Sequence, residues 1–205
     1  MQKSPTLMRL DRSSGLLDGA RQVPSPNCDA RPADCDVHGS TNVAGGRTPG
    51  ATDIDLLVIH NISLPPGEFG GPHIESLFLN TLDPKAHPYF ADICGMKVSA
   101  HLLIRRGGEI LQFVPLHLRA WHAGESSFAG RTACNDFSIG IELEGSDDHP
   151  YEPGQYTALA EVARALMAAY PGITPQRIVG HSDIAPGRKT DPGPSFDWER
   201  LRNLL

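Results

Sequence analysis

Three patterns in the 205 residues predict a single-domain α/β fold with a central mixed β-sheet flanked by helices. One is a near-continuous apolar run at residues 53–60. Another is a Gly-Gly pair between two apolar runs at 98–104 and 109–114, and the last is a three- and four-residue apolar stepping that begins at Tyr156.

Residues 21–53 hold Pro24, Pro26, Pro32, Gly39, Gly45, Gly46, Pro49 and Gly50 with few large apolar groups, which favours loop over packed element. An N-terminal segment, residues 1–52, is therefore expected to be largely loop and partly packed on a catalytic domain at 53–205. Residues 53–60 then read as a strand buried on both faces, with His60 emerging at its carboxyl end, the edge where open α/β sheets usually hold their ligands. After Pro72, Ile74, Leu77 and Phe78 predict a short helix over 73–80. Arg105-Arg106-Gly107-Gly108 predicts the turn of a hairpin. Residues 138–145 alternate Ile139, Ile141 and Leu143 against Gly140, Glu142 and Glu144, so both carboxylates share one face of a strand. Tyr156, Leu159, Ala163, Leu166 and Tyr170 lie along one side of a helix that Pro171-Gly172 stops. A short strand at 177–180 ends at His181, and 198–205 reads as a terminal helix.

The formal charge of -6, with no Lys/Arg cluster longer than two residues, argues against a nucleic-acid partner. No apolar run approaches a membrane span, and charged residues interrupt the first 20 positions, so neither a span nor a leader is expected. Four cysteines, at positions 28, 35, 94 and 134, lack the spacing of a disulfide framework or a thiolate zinc site and read as reduced. Together these features point to the cytoplasm.

The chemistry concentrates in histidines and carboxylates. His38, His73, His87, His117 and His149 lie beside prolines, glycines or polar loops and read as surface residues, while His101 reads as a core histidine. His60 and His181 differ because both follow apolar strands and reach one sheet edge. With a nearby carboxylate they suit the donor set of a hydrolytic zinc site, which leaves a position for water, although His and Asp residues this distant in sequence also match such a set by chance. Spacing alone leaves Asp183 and Asp191 in competition for that ligand, and Glu142 and Glu144 in competition for general base. Lys189, two residues before Asp191, is either an oxyanion stabiliser or an ordinary loop lysine. Other schemes lack their signatures: there is no Gly-x-Ser-x-Gly elbow, Cys134 has no nucleophile motif, and the Gly-Gly pairs form no phosphate cradle.

Four segments resemble the zinc-dependent N-acetylmuramoyl-L-alanine amidases of type 2. They are 58–71, which includes His60-Asn61 and Leu64-Pro65-Pro66-Gly67; 119–124, with Arg119-Ala120-Trp121-His122; 134–145, with Glu142; and 181–194. The likeness runs in order from about Gly15 to the C-terminus. It implies the fold that these amidases share with peptidoglycan-recognition proteins, and one zinc ion per chain on His60, His181 and Asp191. It also implies Glu142 as activator of the attacking water and Lys189 as stabiliser of the tetrahedral intermediate. The implied substrate is a small muropeptide, cut at the amide between the lactyl group of (1,6-anhydro)-N-acetylmuramic acid and L-alanine during cytoplasmic peptidoglycan recycling. No nucleic acid, membrane or protein partner is implied.

Asn61, Tyr89, Lys97, Trp121 and Arg131 are the implied substrate contacts. Tyr89 and Trp121 would line the sugar pocket, with core packing as the other reading. Relatives are expected to carry arginine at the positions of Lys97 and Ala133, and Arg131 stands near enough in sequence to compensate. The 38–52 stretch looks longer than in relatives. Two other functions remain open at this stage: an amidase of intact peptidoglycan, and a non-catalytic muropeptide-binding module.

Overall fold

The computed structural model describes residues 8–32 and 54–205; His38, the 38–52 stretch and the expected domain boundary near Asp53 lie outside the described residues. The central sheet takes strands β1 (Arg21–Gln22), β2 (Leu56–Ile62), β3 (Leu102–Ile104), β4 (Ile110–Gln112), β5 (Ser138–Glu144) and β6 (Ile178–Gly180), in the order β6-β2-β5-β3-β4-β1. The pairings of β2, β3, β5 and β6 are parallel, and β3 and β4 form the antiparallel hairpin, so the sheet is mixed as expected. Gly108 closes the hairpin with φ +87°, a conformation that favours glycine, and its N–H donates to Arg105 O at 2.9 Å.

Both faces of the sheet are covered, which explains the continuous apolar reading of β2. On one face Leu57, Ile59, Ile139, Ile141 and Leu143 pack against Leu159, Val162, Ala163 and Leu166 of helix α3. Among the described residues the helices are α1 (His73–Phe78), α2 (Phe90–Ile93), α3 (Pro153–Ala169), α4 (His181–Ile184) and α5 (Trp198–Leu204). Pro153 opens α3, where its missing N–H costs nothing. On the other face, α1 and Phe90 cover Leu103, Leu111 and Phe113, while Cys134, Phe137 and Ile184 cover Leu56, Val58 and Val179. Burying one such Leu, Val or Phe contributes roughly 1.5–3 kcal/mol.

Residues 8–32 are built into the domain more fully than their composition suggests. β1 forms one edge of the sheet in parallel with β4. Leu17 is buried, and its N–H donates to Gln112 Oε1 at 2.8 Å. Buried Asn27 donates to Phe78 O at 3.1 Å and Val98 O at 2.9 Å, and buried Arg31 donates to Ser138 O at 2.8 Å. Polar side chains anchor this segment, so an apolar pattern could not reveal it.

Register fixes the site. Glu142 pairs with His60 across the parallel β5–β2 ladder, and Gly180 pairs with Ile59 across β6–β2. His60, Glu142 and His181 therefore leave the sheet at one level of its carboxyl edge.

Candidate metal centre

Parallel partners share a face, so His60 and Glu142 project to the side opposite α3. His181 starts α4 directly after β6. The loop that follows returns Asp191 to the same point and is pinned there by the Ser182 N–H donating to Asp191 O at 3.0 Å. His60 Nδ1 and His181 Nδ1 lie 3.0 Å apart, and each lies 3.1 Å from Asp191 Oδ2. A tetrahedral ion with ligand distances of about 2.0–2.1 Å spaces its ligands roughly 3.3 Å apart, so this triangle nearly matches one face of such a site. Among the described residues these form one group of three candidate metal ligands.

The surroundings prepare the ligands. Burial lowers the pKa of His60 to about 4, an effect the Asp191 hydrogen bond opposes, so the ring is neutral at physiological pH. His181 Nε2 faces Ala123 O at 3.1 Å; donation there leaves the Nδ1 lone pair turned inward. For Asp191, burial alone would raise the pKa, but hydrogen bonds from His181 and His60 win and hold it below the usual carboxylate range. A neutral His60 imidazole and an ionised Asp191 carboxylate are protonation states that metal binding requires.

Asp183, the rival carboxylate, is exposed, accepts the Gly180 N–H at 2.7 Å and is not part of the triangle. Glu144 is equally committed: it is 1% exposed and accepts from Gly70 N at 2.7 Å, Arg105 Nη1 at 2.8 Å and Arg106 N at 3.1 Å. Glu142 is the carboxylate left over. Its Oε2 is shielded from solvent and has no hydrogen-bond partner. Burial pushes its pKa well above the usual range, the Asp191 charge adds to this, and the Lys189 charge opposes it. Lys189 is exposed, and its field also reaches His60. The edge thus unites a metal-competent triangle, an unpaired carboxylate and a cation.

The remaining expected contacts divide. Trp121 is half-buried and directly precedes His122, whose Nδ1 lies 2.9 Å from His60 Nε2. Tyr89 is 41% exposed and Lys97 is exposed, so core packing does not explain Tyr89. Asn61 spends both amide protons inside the protein, on Asp147 Oδ1 at 2.8 Å and Pro192 O at 3.1 Å, and so holds the Asp191 loop. Tyr151 Oη donates to the same Pro192 O at 2.7 Å.

Arg131 is a correction to the expectation from sequence. It pairs with Asp55 at 3.0 Å and stacks 3.8 Å over Phe137, at the amino end of β2 and β5. A strand of this length separates it from His60 by roughly 15 Å, at about 3.3 Å per residue.

Sequence reasoning passed over His122. Its trace was Gly140, a glycine inside an apolar strand, which often marks a close approach. A Cβ there would meet the His122 ring at 2.5 Å.

The N-acetylmuramoyl-L-alanine amidase family model matches residues 50–194. The 1,6-anhydro-N-acetylmuramyl-L-alanine amidase AmpD of Escherichia coli K12 is 58% identical over 191 residues, covering 93% of this chain and 94% of the relative. A crystal structure of a selenomethionine AmpD derivative superposes with a TM-score of 0.85 at 56% identity, covering 97% of this chain and 99% of that one. The Pseudomonas aeruginosa AmpDh3 structure in complex with anhydromuramic pentapeptide matches at a TM-score of 0.58 and 31% identity, covering 82% of this chain and 66% of that one.

Proposed function

The chain belongs to the N-acetylmuramoyl-L-alanine amidase family, and from that membership we propose that it hydrolyses the amide between the lactyl group of 1,6-anhydro-N-acetylmuramic acid and L-alanine in muropeptides. The observation that carries this reading is the triangle of His60 Nδ1, His181 Nδ1 and Asp191 Oδ2 at 3.0–3.1 Å, beside a Glu142 carboxylate with one oxygen shielded from solvent. These three residues would hold one zinc ion. When bound, zinc supplies Lewis-acid polarisation of the carbonyl and acidifies a water molecule.

The protein's own groups do the rest. Glu142 accepts a proton from the attacking water and returns it to the alanine nitrogen as the C–N bond breaks. Its raised pKa suits a carboxyl that must hold that proton between two transfers. Lys189 steadies the negative charge that develops on the carbonyl oxygen. Trp121 and Tyr89 offer aromatic faces to the sugar, and Lys97 offers a single cation to the stem peptide. The ligand is a small muropeptide, and the reaction takes place in the cytoplasm. Among the described residues Cys28, Cys94 and Cys134 are free thiols, which suits a reducing compartment.

Turnover of anhydromuramyl-tripeptide, compared with its non-anhydro counterpart and with intact peptidoglycan, tests the substrate. The anhydro compound is expected to be cut fastest. Preference for intact peptidoglycan would replace this reading with the broader amidase. A Glu142→Ala variant as active as the wild type would rule out the assigned proton transfer.

A further inference from the structure

We propose that His122 is a positioning residue that fixes the tautomer of His60, through a one-way hydrogen-bond chain ending on the backbone. This rests on the metal reading above and extends it to a residue outside the triangle. The chain runs from His60 Nε2 to His122 Nδ1 at 2.9 Å, from His122 Nε2 to Ser138 Oγ at 3.2 Å, and from Ser138 Oγ to Cys134 O at 2.6 Å.

The last link sets the direction of all the others. A carbonyl brings no proton, so the Ser138 hydroxyl proton must lie between Ser138 Oγ and Cys134 O. Ser138 Oγ is then the acceptor at its other contact, and His122 Nε2 carries the proton. The neutral ring leaves His122 Nδ1 as an acceptor, so His60 Nε2 must be the donor. His60 Nδ1 consequently keeps its lone pair, and that lone pair faces His181 Nδ1 and Asp191 Oδ2.

Packing prevents the ring from offering a different atom. Gly140 leaves the space that His122 fills, since a Cβ at that position would lie 2.5 Å from both Cγ and Nδ1 of the ring. His60 and His101 flank the ring at centroid distances of 5.0 and 5.7 Å, both edge-on. Asn135 Oδ1 fixes the backbone by accepting from His122 N at 3.1 Å and Ala123 N at 2.8 Å. His181 gets the same lock directly, from the carbonyl of Ala123. His60 gets it through a side chain, and that side chain can be replaced.

The test compares zinc affinity by chelator competition in wild type, His122→Leu and His122→Asn, together with the visible absorption of the cobalt-substituted proteins. Losing an outer hydrogen-bond partner typically weakens metal binding by about 10- to 100-fold, and that loss is expected for His122→Leu. The Asn variant, whose carbonyl stands close to the place of Nδ1, should recover most of the affinity and the wild-type cobalt spectrum. KM for the muropeptide should change little while kcat falls, because His122 acts through His60. A Leu variant that binds zinc as tightly as wild type, or an Asn variant as weak as Leu, overturns the proposal. If the Leu variant does not fold, the wild-type protein still decides the matter. Nitrogen-15 spectra of labelled histidines should show coupling across the hydrogen bond between His60 Nε2 and His122 Nδ1, and a proton on His122 Nδ1 contradicts it. A wild-type chain that takes up no zinc would instead defeat the metal reading, an outcome these spectra distinguish.

Discussion

Glu142 and Glu144 lie on the same face of one strand, yet only their distant neighbours separate their roles. Glu144 meets Arg105 and the Gly70 and Arg106 amides, whereas Glu142 keeps a shielded oxygen without a partner. The alternation of residues 138–145 places both carboxylates together, and nothing local to that strand tells them apart. Glu142→Gln should lower kcat by about 10²–10⁴-fold and, in metal-free protein near neutral pH, raise stability by about 1–2 kcal/mol. Steady-state kinetics and thermal melts read the two effects, and a less stable Gln variant would contradict the burial of an unpaired carboxylate. Lys189→Gln should cost about 10²–10³-fold in kcat with KM nearly unchanged. An equal rise in KM would instead assign Lys189 to substrate binding.

Elements decide what residues can reach. The parallel β2–β5–β6 core brings His60, Glu142 and His181 to one edge, and the direction of those strands was legible from apolar runs that end in polar groups. Gly140 in mid-strand carried the sign of His122. Gly140→Ala should therefore destabilise the protein by about 1–3 kcal/mol through overpacking and weaken metal binding as His122 is displaced. Leu166→Ala in α3 should cost about 2–5 kcal/mol while leaving zinc stoichiometry intact, since it empties the core on the other face of the sheet. Urea unfolding and metal analysis of both variants check the contrast. Metal loss in Leu166→Ala would show that the two faces are not independent.

At the scale of the whole molecule, the fold class and the sheet edge could be read from periodicity, but the packing of residues 8–32 could not. Leu17 is one of few apolar anchors there, and Asn27 and Arg31 are held by hydrogen bonds that no hydropathy pattern encodes. Arg31 also lies 3.1 Å from the ring of His101, one of several buried imidazoles. Burial lowers His60 to about 4 and His101 to about 3, from an ordinary value of 6.5. Above pH 6.5 both rings are neutral whether folded or not, so their stability is fully present. As pH falls toward 4, the unfolded chain takes up protons that the native state refuses. Chelator-treated protein should thus lose up to about 1.4 kcal/mol per pH unit for each such histidine, as measured by urea unfolding. A flat profile would contradict neutral burial. The most direct test of the central claim is metal-dependent hydrolysis of anhydromuramyl-tripeptide by chelator-treated protein, with zinc titrated back. The expected result is no release of L-alanyl peptide without metal and full recovery at one zinc per chain. Undiminished turnover in the metal-free protein would contradict the zinc amidase reading.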